Sequence, residues 1–464
     1  MKSFALGCGL AAGLVWTGGA ISAAAEGAAA GSVDQPAGPA ATNQVAILPV
    51  PPESQDWNFH FQNTDIGTYH PGFPSAYTGP NSLASRTEVR ETVSVDLLFG
   101  ARLWSGAEAH VDGLMWQGYG FSRTLGIEGF PSGEAFRLGA RVPNVNFSRA
   151  FLRQTFGLNG ETEKVADDAL HLGGVQDTER VTLTLGKMSA KDIFDNNTYA
   201  NDPRSQFLNW SLVANEAWDY PADSLGYITG FAAELTEPRW SWRYGFFQVP
   251  RVSNGLALDG HYLEAWAMVA ESERRFTLGE HPGAVRWLAF LNRAHMGVYE
   301  AAANQPGLPP DDALAQTRDY RFKYGFGLNV EQELARDLGA FGRLGWSDGK
   351  SEAWMYSDVD HAASLGMTLK GSRWGRPDDT LAAAGVFNGL SRVHEDFIAA
   401  GGTGILAGDG QLHYGIERIV EAYYDFKLCR PAHLTLDYQY VVNPAFNQDR
   451  GPVSIFSVRM HCEF

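Results

Sequence analysis

From Trp57 onward the chain alternates apolar and polar residues in short runs. Val93, Val95, Leu97 and Phe99 form one such set; Val181, Leu183 and Leu185 stand against Thr182 and Thr184. Phe322, Tyr324, Phe326, Leu328 and Val330 oppose Arg321, Lys323, Asn329 and Glu331. Tyr424, Phe426 and Leu428 face away from Glu421, Tyr423, Asp425 and Lys427, and Leu434, Leu436, Tyr438 and Tyr440 face away from Thr435, Asp437 and Gln439. At the C-terminus Phe456, Val458, Met460, Cys462 and Phe464 alternate with Ser457, Arg459, His461 and Glu463. A two-residue period places each set on one face of a β-strand. The apolar face then meets either the core of a soluble sandwich or the lipid around a membrane barrel with a wet lumen.

About sixteen such strands are predicted, an even number in the range of bacterial barrels. Their expected starts are Trp57, Glu88, Ala107, Phe147, Arg180, Leu225, Arg239, Gly260, Val285, Tyr320, Gly339, Ala362, Leu381, Ile416, His433 and Val453. Connections after the second, sixth, tenth and fourteenth strands are short, as in Thr236 to Pro238 and Cys429 to Ala432; those after the first, third, fifth, ninth and thirteenth are long. Short turns at one end and long loops at the other suit an antiparallel outer-membrane barrel. The connection from Gly157 to Glu179 is too long for this scheme.

Past the N-terminus no uncharged apolar run is long enough for a transmembrane helix. Lys2, the apolar run from Phe4 to Trp16 and the small residues at Ala20 to Ala25 read as a secretory signal peptide over 1–25. Residues 26–52, rich in Ala, Gly and Pro, read as a flexible periplasmic lead-in, which leaves 53–464 for the barrel. The net charge of −17 argues against a nucleic-acid partner. Too few apolar residues precede Cys8 for a lipoprotein site, so it reads as a small residue of the signal's apolar stretch, and Cys429 and Cys462 are the expected mature cysteines. A disulfide between them and two separate thiols both fit, since the exported compartment permits oxidation without fixing geometry.

The longest loop runs from Met188 to Ser224, with Pro203, Pro221, paired Asn residues and interleaved Asp, Arg and Trp. Its length marks it as functional, and helical stretches are expected in it. Together with the ending LTLDYQYVVNPAFNQDRGPVSIFSVRMHCEF, this segment resembles the carbohydrate-selective porin family of OprB type. The likeness covers most of the mature chain and is strongest in Gly186 to Ala222 and Glu421 to Phe464. It implies a barrel of about sixteen strands in the bacterial outer membrane, with a narrowed lumen that passes monosaccharides by passive diffusion. The C-terminal cysteines and the Ala-rich lead-in depart from the family pattern.

A sugar pore needs hydrogen-bonding groups for hydroxyls and aromatic faces for the ring. Lys191, Asp192, Asp195, Asn196, Arg204, Gln206, Asn209, Trp210, Trp218 and Asp219 supply both within one loop. Each either contacts solute or pins the loop to the wall, because buried polar groups must be satisfied in any case. Arg149 and Arg153 flank Phe151 on one face; if Ala150, Leu152 and Phe156 face lipid, both guanidiniums enter the lumen, to act on solute or to neutralise lumenal acids. Arg321, Lys323 and Arg343 are weaker candidates of the same kind. Trp240, Trp242, Tyr423, Tyr438 and Tyr440 suit an interfacial aromatic girdle.

Catalytic patterns lack their contexts. Gly345 to Gly349 has nucleophile-elbow spacing but no following helix, and Gly401 to Gly410 resembles a phosphate loop only in glycine content. The twelve His show no zinc spacing. The expectation is a channel without enzyme activity, metal or cofactor, whose partners are outer-membrane lipid and small carbohydrates; monomer and homo-oligomer both fit. A barrel for another solute, a phospholipase-type barrel enzyme and a soluble glycan-binding β-protein are the alternatives.

Overall fold

The computed structural model describes residues 54–135 and 139–464, so the expected signal peptide and lead-in lie outside the described residues. The strands are β1 (Trp57–His70), β2 (Glu88–Trp104), β3 (Ala107–Gly118), β4 (Ala140–Gly157), β5 (Thr162–Val165), β6 (Gly174–Asp177), β7 (Arg180–Met188), β8 (Ile228–Thr236) and β9 (Trp240–Phe247). They continue as β10 (Trp266–Leu278), β11 (His281–Met296), β12 (Asp319–Ala335), β13 (Leu338–Ser347), β14 (His361–Lys370), β15 (Thr380–Gly389), β16 (Glu417–Cys429), β17 (Ala432–Val442) and β18 (Val453–Glu463). All but β5 and β6 form one closed antiparallel barrel of sixteen strands in chain order, shut by the pairing of β18 with β1. Reciprocal backbone bonds between Phe61 and Phe464, 3.1 and 2.9 Å, complete the seam.

Sixteen expected strands are therefore present, and their starts agree to within four residues except at β4 and β10. β4 begins at Ala140, ahead of Phe147, and β10 at Trp266, because 260–265 belongs to the preceding loop. The awkward connection after the fourth strand is real: it carries the separate hairpin β5–β6. Elsewhere the connections after even-numbered barrel strands are short and those after odd-numbered ones long, so the long-loop end faces outward and the short-turn end faces the periplasm.

The two strand faces differ as the alternation demands. On β2, Leu97 and Phe99 are about half exposed, while Ser94 and Asp96 are buried in the lumen. On β18, Phe456 and Val458 point out, while Ser457, Arg459 and His461 point in. Tyr423 departs from the expected girdle: it is 3 % exposed and meets Phe207 edge-on at 5.0 Å inside the barrel, because it shares parity with Glu421 and Asp425. Trp242, Tyr438 and Tyr440 remain on the outer face, and Trp240 stacks on Trp242.

The cysteines are not joined to each other. Ala432 of β17 pairs with Cys429 on one side and Cys462 on the other, which sets the two cysteines two strand spacings apart. At roughly 4.8 Å per spacing, that exceeds the Cα reach of a disulfide.

Leu365, in the middle of β14, is 70 % exposed on the outer face. Arginine at a lipid-facing position near the bilayer midplane costs about 2–4 kcal/mol. Leu365→Arg should therefore lower the unfolding free energy in lipid by that amount, as measured by urea titration. An unchanged midpoint would contradict the face assignment.

Candidate functional site

The long connection from β7 to β8 folds into the lumen and carries the expected short helices: a 3₁₀ turn at Ala190–Asp192 and the helix α1 (Trp210–Val213). Asn209 caps α1, its side chain accepting from the Ser211 amide. Such a loop brings many backbone amides away from water, and each needs an acceptor. Carboxylates supply them. Glu421 of β16 accepts from Leu208 N and Asn209 N at 2.6 and 2.9 Å. Asp219 accepts from Trp354 N and Met355 N at 3.1 and 2.9 Å. Asp358 accepts from Ile405, Leu406 and Ala407, and Glu417 from Glu128, Gly129 and Ala445. Much of the acidic excess thus holds loops inside the barrel through charge-assisted hydrogen bonds.

Asp195 is the densest anchor. Its Oδ1 accepts from Asn329 at 2.7 Å and from Arg343 at 3.1 Å; its Oδ2 accepts from Asn215 N at 2.8 Å and from Lys191 at 3.3 Å. The residue sits at φ 55°, a conformation that Asp and Asn tolerate better than other side chains. Burial pulls the Lys191 ammonium down to about 8, against the attraction of Asp195. Lys323 of β12 is 1 % exposed, with its ammonium 3.5 Å from Asp219.

Against the opposite arc lies a belt of opposed charges. A β-bulge at Ser148 pairs Asp112 with Arg149 and Gly113 with Phe147. It reverses the strand's parity, so Phe147 stays outside at 65 % exposure while Arg149, Phe151 and Arg153 turn inward. Arg149 donates two bonds to Asp192 at 2.8 and 2.7 Å and one to Asp112 at 2.8 Å, and its guanidinium lies 5.1 Å from the centre of the Tyr227 ring. Arg204 reaches from the loop to Glu134 at 3.0 Å, Gln62 at 3.2 Å and Asp96 at 3.3 Å.

The expected site residues thus divide. Arg149, Asp192, Asn196, Arg204 and Trp210 are only partly buried, and Arg149, Asp192 and Arg204 belong to the charged belt. Lys191, Asp195, Asn209, Trp218 and Asp219 are buried and engaged in holding the loop. Trp210 packs in an aromatic group with Phe130, parallel at 5.6 Å, and with Tyr356 and Tyr220 at 4.8 and 5.9 Å. Arg153 serves a separate cluster at the short-turn end, donating to Leu170 O. Arg343 and Lys323 enter the lumen as loop anchors.

Sequence reading missed Asp96, Asp112, Glu134 and Tyr227. Asp96 and Asp112 stand at polar positions of alternating strands, a usable signal; Glu134 and Tyr227 sit in irregular segments without one.

On the β9–β12 side, Arg243 pairs with Glu271 at 2.7 Å and Glu273 at 3.1 Å, and Arg286 with Glu273 at 2.8 Å and Glu331 at 3.1 Å. These groups flank a cavity of about 620 Å³ at the short-turn end, lined among others by Tyr199, Glu273, Arg275, Arg286 and Glu331.

Residues 80–464 match the model of the carbohydrate-selective porin, OprB family. The high-pH structure of Pseudomonas putida OprB aligns with a TM-score of 0.66 at 14% identity, covering 88% of this chain and 94% of that one. The outer membrane channel DcaP of Acinetobacter baumannii aligns at 0.47 and 10% identity, over 88% of this chain and 97% of that chain. No curated protein matches the chain. With its closed sixteen-stranded barrel and a charged loop folded through the lumen, the chain belongs to the carbohydrate-selective porin family, OprB, and is a bacterial outer-membrane channel for small solutes.

Proposed function

We propose that small neutral saccharides pass between the Arg149–Asp192–Asp112 cluster and Arg204, guided by opposed charges across a narrowed lumen. The observation that carries this reading is the belt itself: two guanidiniums, each held by at least two carboxylates, beside the Tyr227 ring. Fixed donors and acceptors of both signs can exchange partners with sugar hydroxyls as a solute passes, while no net charge is needed to draw it in. Lys191, Asp195, Asn209, Trp218 and Asp219 act in this reading as struts that keep the belt narrow, and Asn196 and the edge of Trp210 as further contacts. No covalent step or cofactor is involved, and lipid covers the outer apolar belt. Removal of the N-terminal signal over 1–25 and a periplasmic lead-in over 26–52 complete the proposal.

Planar-bilayer recording tests it. Wild-type steps should be ohmic and should dim as glucose is titrated. Arg149→Ala should weaken that block by roughly tenfold in half-blocking concentration, the equivalent of one lost charge-assisted bond. If glucose dims the Arg149→Ala current as well as it dims wild type, the belt does not hold solute.

A further inference from the structure

The connection between β4 and β7 is anomalous for its end of the barrel. The other connections there span two to nine residues, as at Ser105–Gly106 and 371–379, whereas this one spans 158–179. Only its outer part forms the hairpin β5–β6; the intervening stretch 166–173 turns back over the lumen mouth.

Several lumenal groups hold that stretch. Asn58 faces inward, between the outward Trp57 and Phe59. Its side-chain amide donates to Asp167 Oδ1 at 2.8 Å, Asp168 O at 3.0 Å and His171 O at 3.1 Å. His60 lies 3.1 Å from the same Asp167 oxygen. Arg153 donates to Leu170 O at 2.5 Å, and Gln55 bonds Gly173 through both its backbone and its side chain. Leu172 is 1 % exposed, and Leu170 packs against the apolar cluster that includes Phe151 and Met188, below the lumenal loop. The insertion therefore fills the mouth along the β1–β4 arc. The cavity of about 620 Å³ opens on the β9–β12 arc across from it.

We propose that the insertion after β4 is a second solute filter, set in series with the charged belt at the short-turn mouth, which admits monosaccharides and holds back longer saccharides. The proposal rests on the channel reading above. A loop tied to the wall by a set of side-chain bonds and an apolar plug cannot swing aside freely, so it fixes the width left for solute. Arg153 is here a positioning residue, acting through Leu170.

Liposome swelling and bilayer conductance decide the matter. In one variant, Asn-Gly replaces 159–178, a hairpin turn suited to antiparallel neighbours; in another, Asn58→Ala and Arg153→Ala release the stretch without removing it. The deletion should about double single-channel conductance and raise the maltotriose-to-glucose swelling ratio roughly fivefold, because pore width sets passage. The double substitution should shift both in the same direction by less. If either variant runs as a heat-modifiable folded barrel yet keeps wild-type conductance and ratio, the insertion is no filter. Wild-type liposomes impermeable to glucose overturn the channel reading, and this one with it.

Discussion

Asp195→Ala is expected to lower the unfolding free energy by about 3–5 kcal/mol, the usual cost of leaving a buried charge without its partner. Three effects combine. Arg343 and Lys191, both buried, lose their shared carboxylate. The Asn215 amide and the Asn329 side chain lose acceptors at 2.8 and 2.7 Å. Alanine also tolerates φ 55° less well than aspartate. Because these bonds tie the lumenal loop to β12 and β13, the loop should come off the wall and conductance should rise with the loss of stability. Thermal unfolding in detergent and single-channel recording check the two parts separately. Asp195→Asn, which keeps the backbone preference and one acceptor, should recover part of both. A fully stable Asp195→Ala protein with wild-type conductance would show that the loop is held elsewhere.

Asp219→Ala should destabilise by a similar amount, about 3–5 kcal/mol, since it leaves Lys323 buried and unpaired. It also strips acceptors from Trp354 N and Met355 N, so the outer loop between β13 and β14 loosens along with the lumenal one. The double variant Asp219→Ala with Lys323→Met removes the stranded charge and should recover about 0.5–3 kcal/mol of the loss, the range seen for coupled neighbours. Additive losses in this cycle, read from urea midpoints in detergent, would mean that the ammonium finds another partner or water.

The charged belt was partly visible in the chain. Arg149, Asp192 and Arg204 could be singled out as lumen candidates by parity and loop position, but their partners could not. Arg204 meets Asp96 from β2, and Arg149 meets Asp112 from β3, residues distant in sequence that only barrel closure brings opposite one another. Trp210 shows the converse. Its residue type suits a sugar platform, yet it packs against Tyr220 of its own loop and against Phe130 and Tyr356, which arrive from two other loops.

By itself, the chain determined a barrel of sixteen strands, the outward and inward faces of most of them, and a long loop with business in the lumen. These follow from local rules: a strand's side chains alternate with period two whatever lies beside it, and lipid outside and water inside read that alternation directly. Tertiary structure decided the rest. It set β17 between Cys429 and Cys462, and used one extra residue at Ser148 to keep Phe147 outside while Arg149 points in. It also folded 158–179 back over the mouth. Each of these depends on register, or on pairing between residues far apart along the chain. A shift of one position costs little locally, yet exchanges every inward side chain for an outward one.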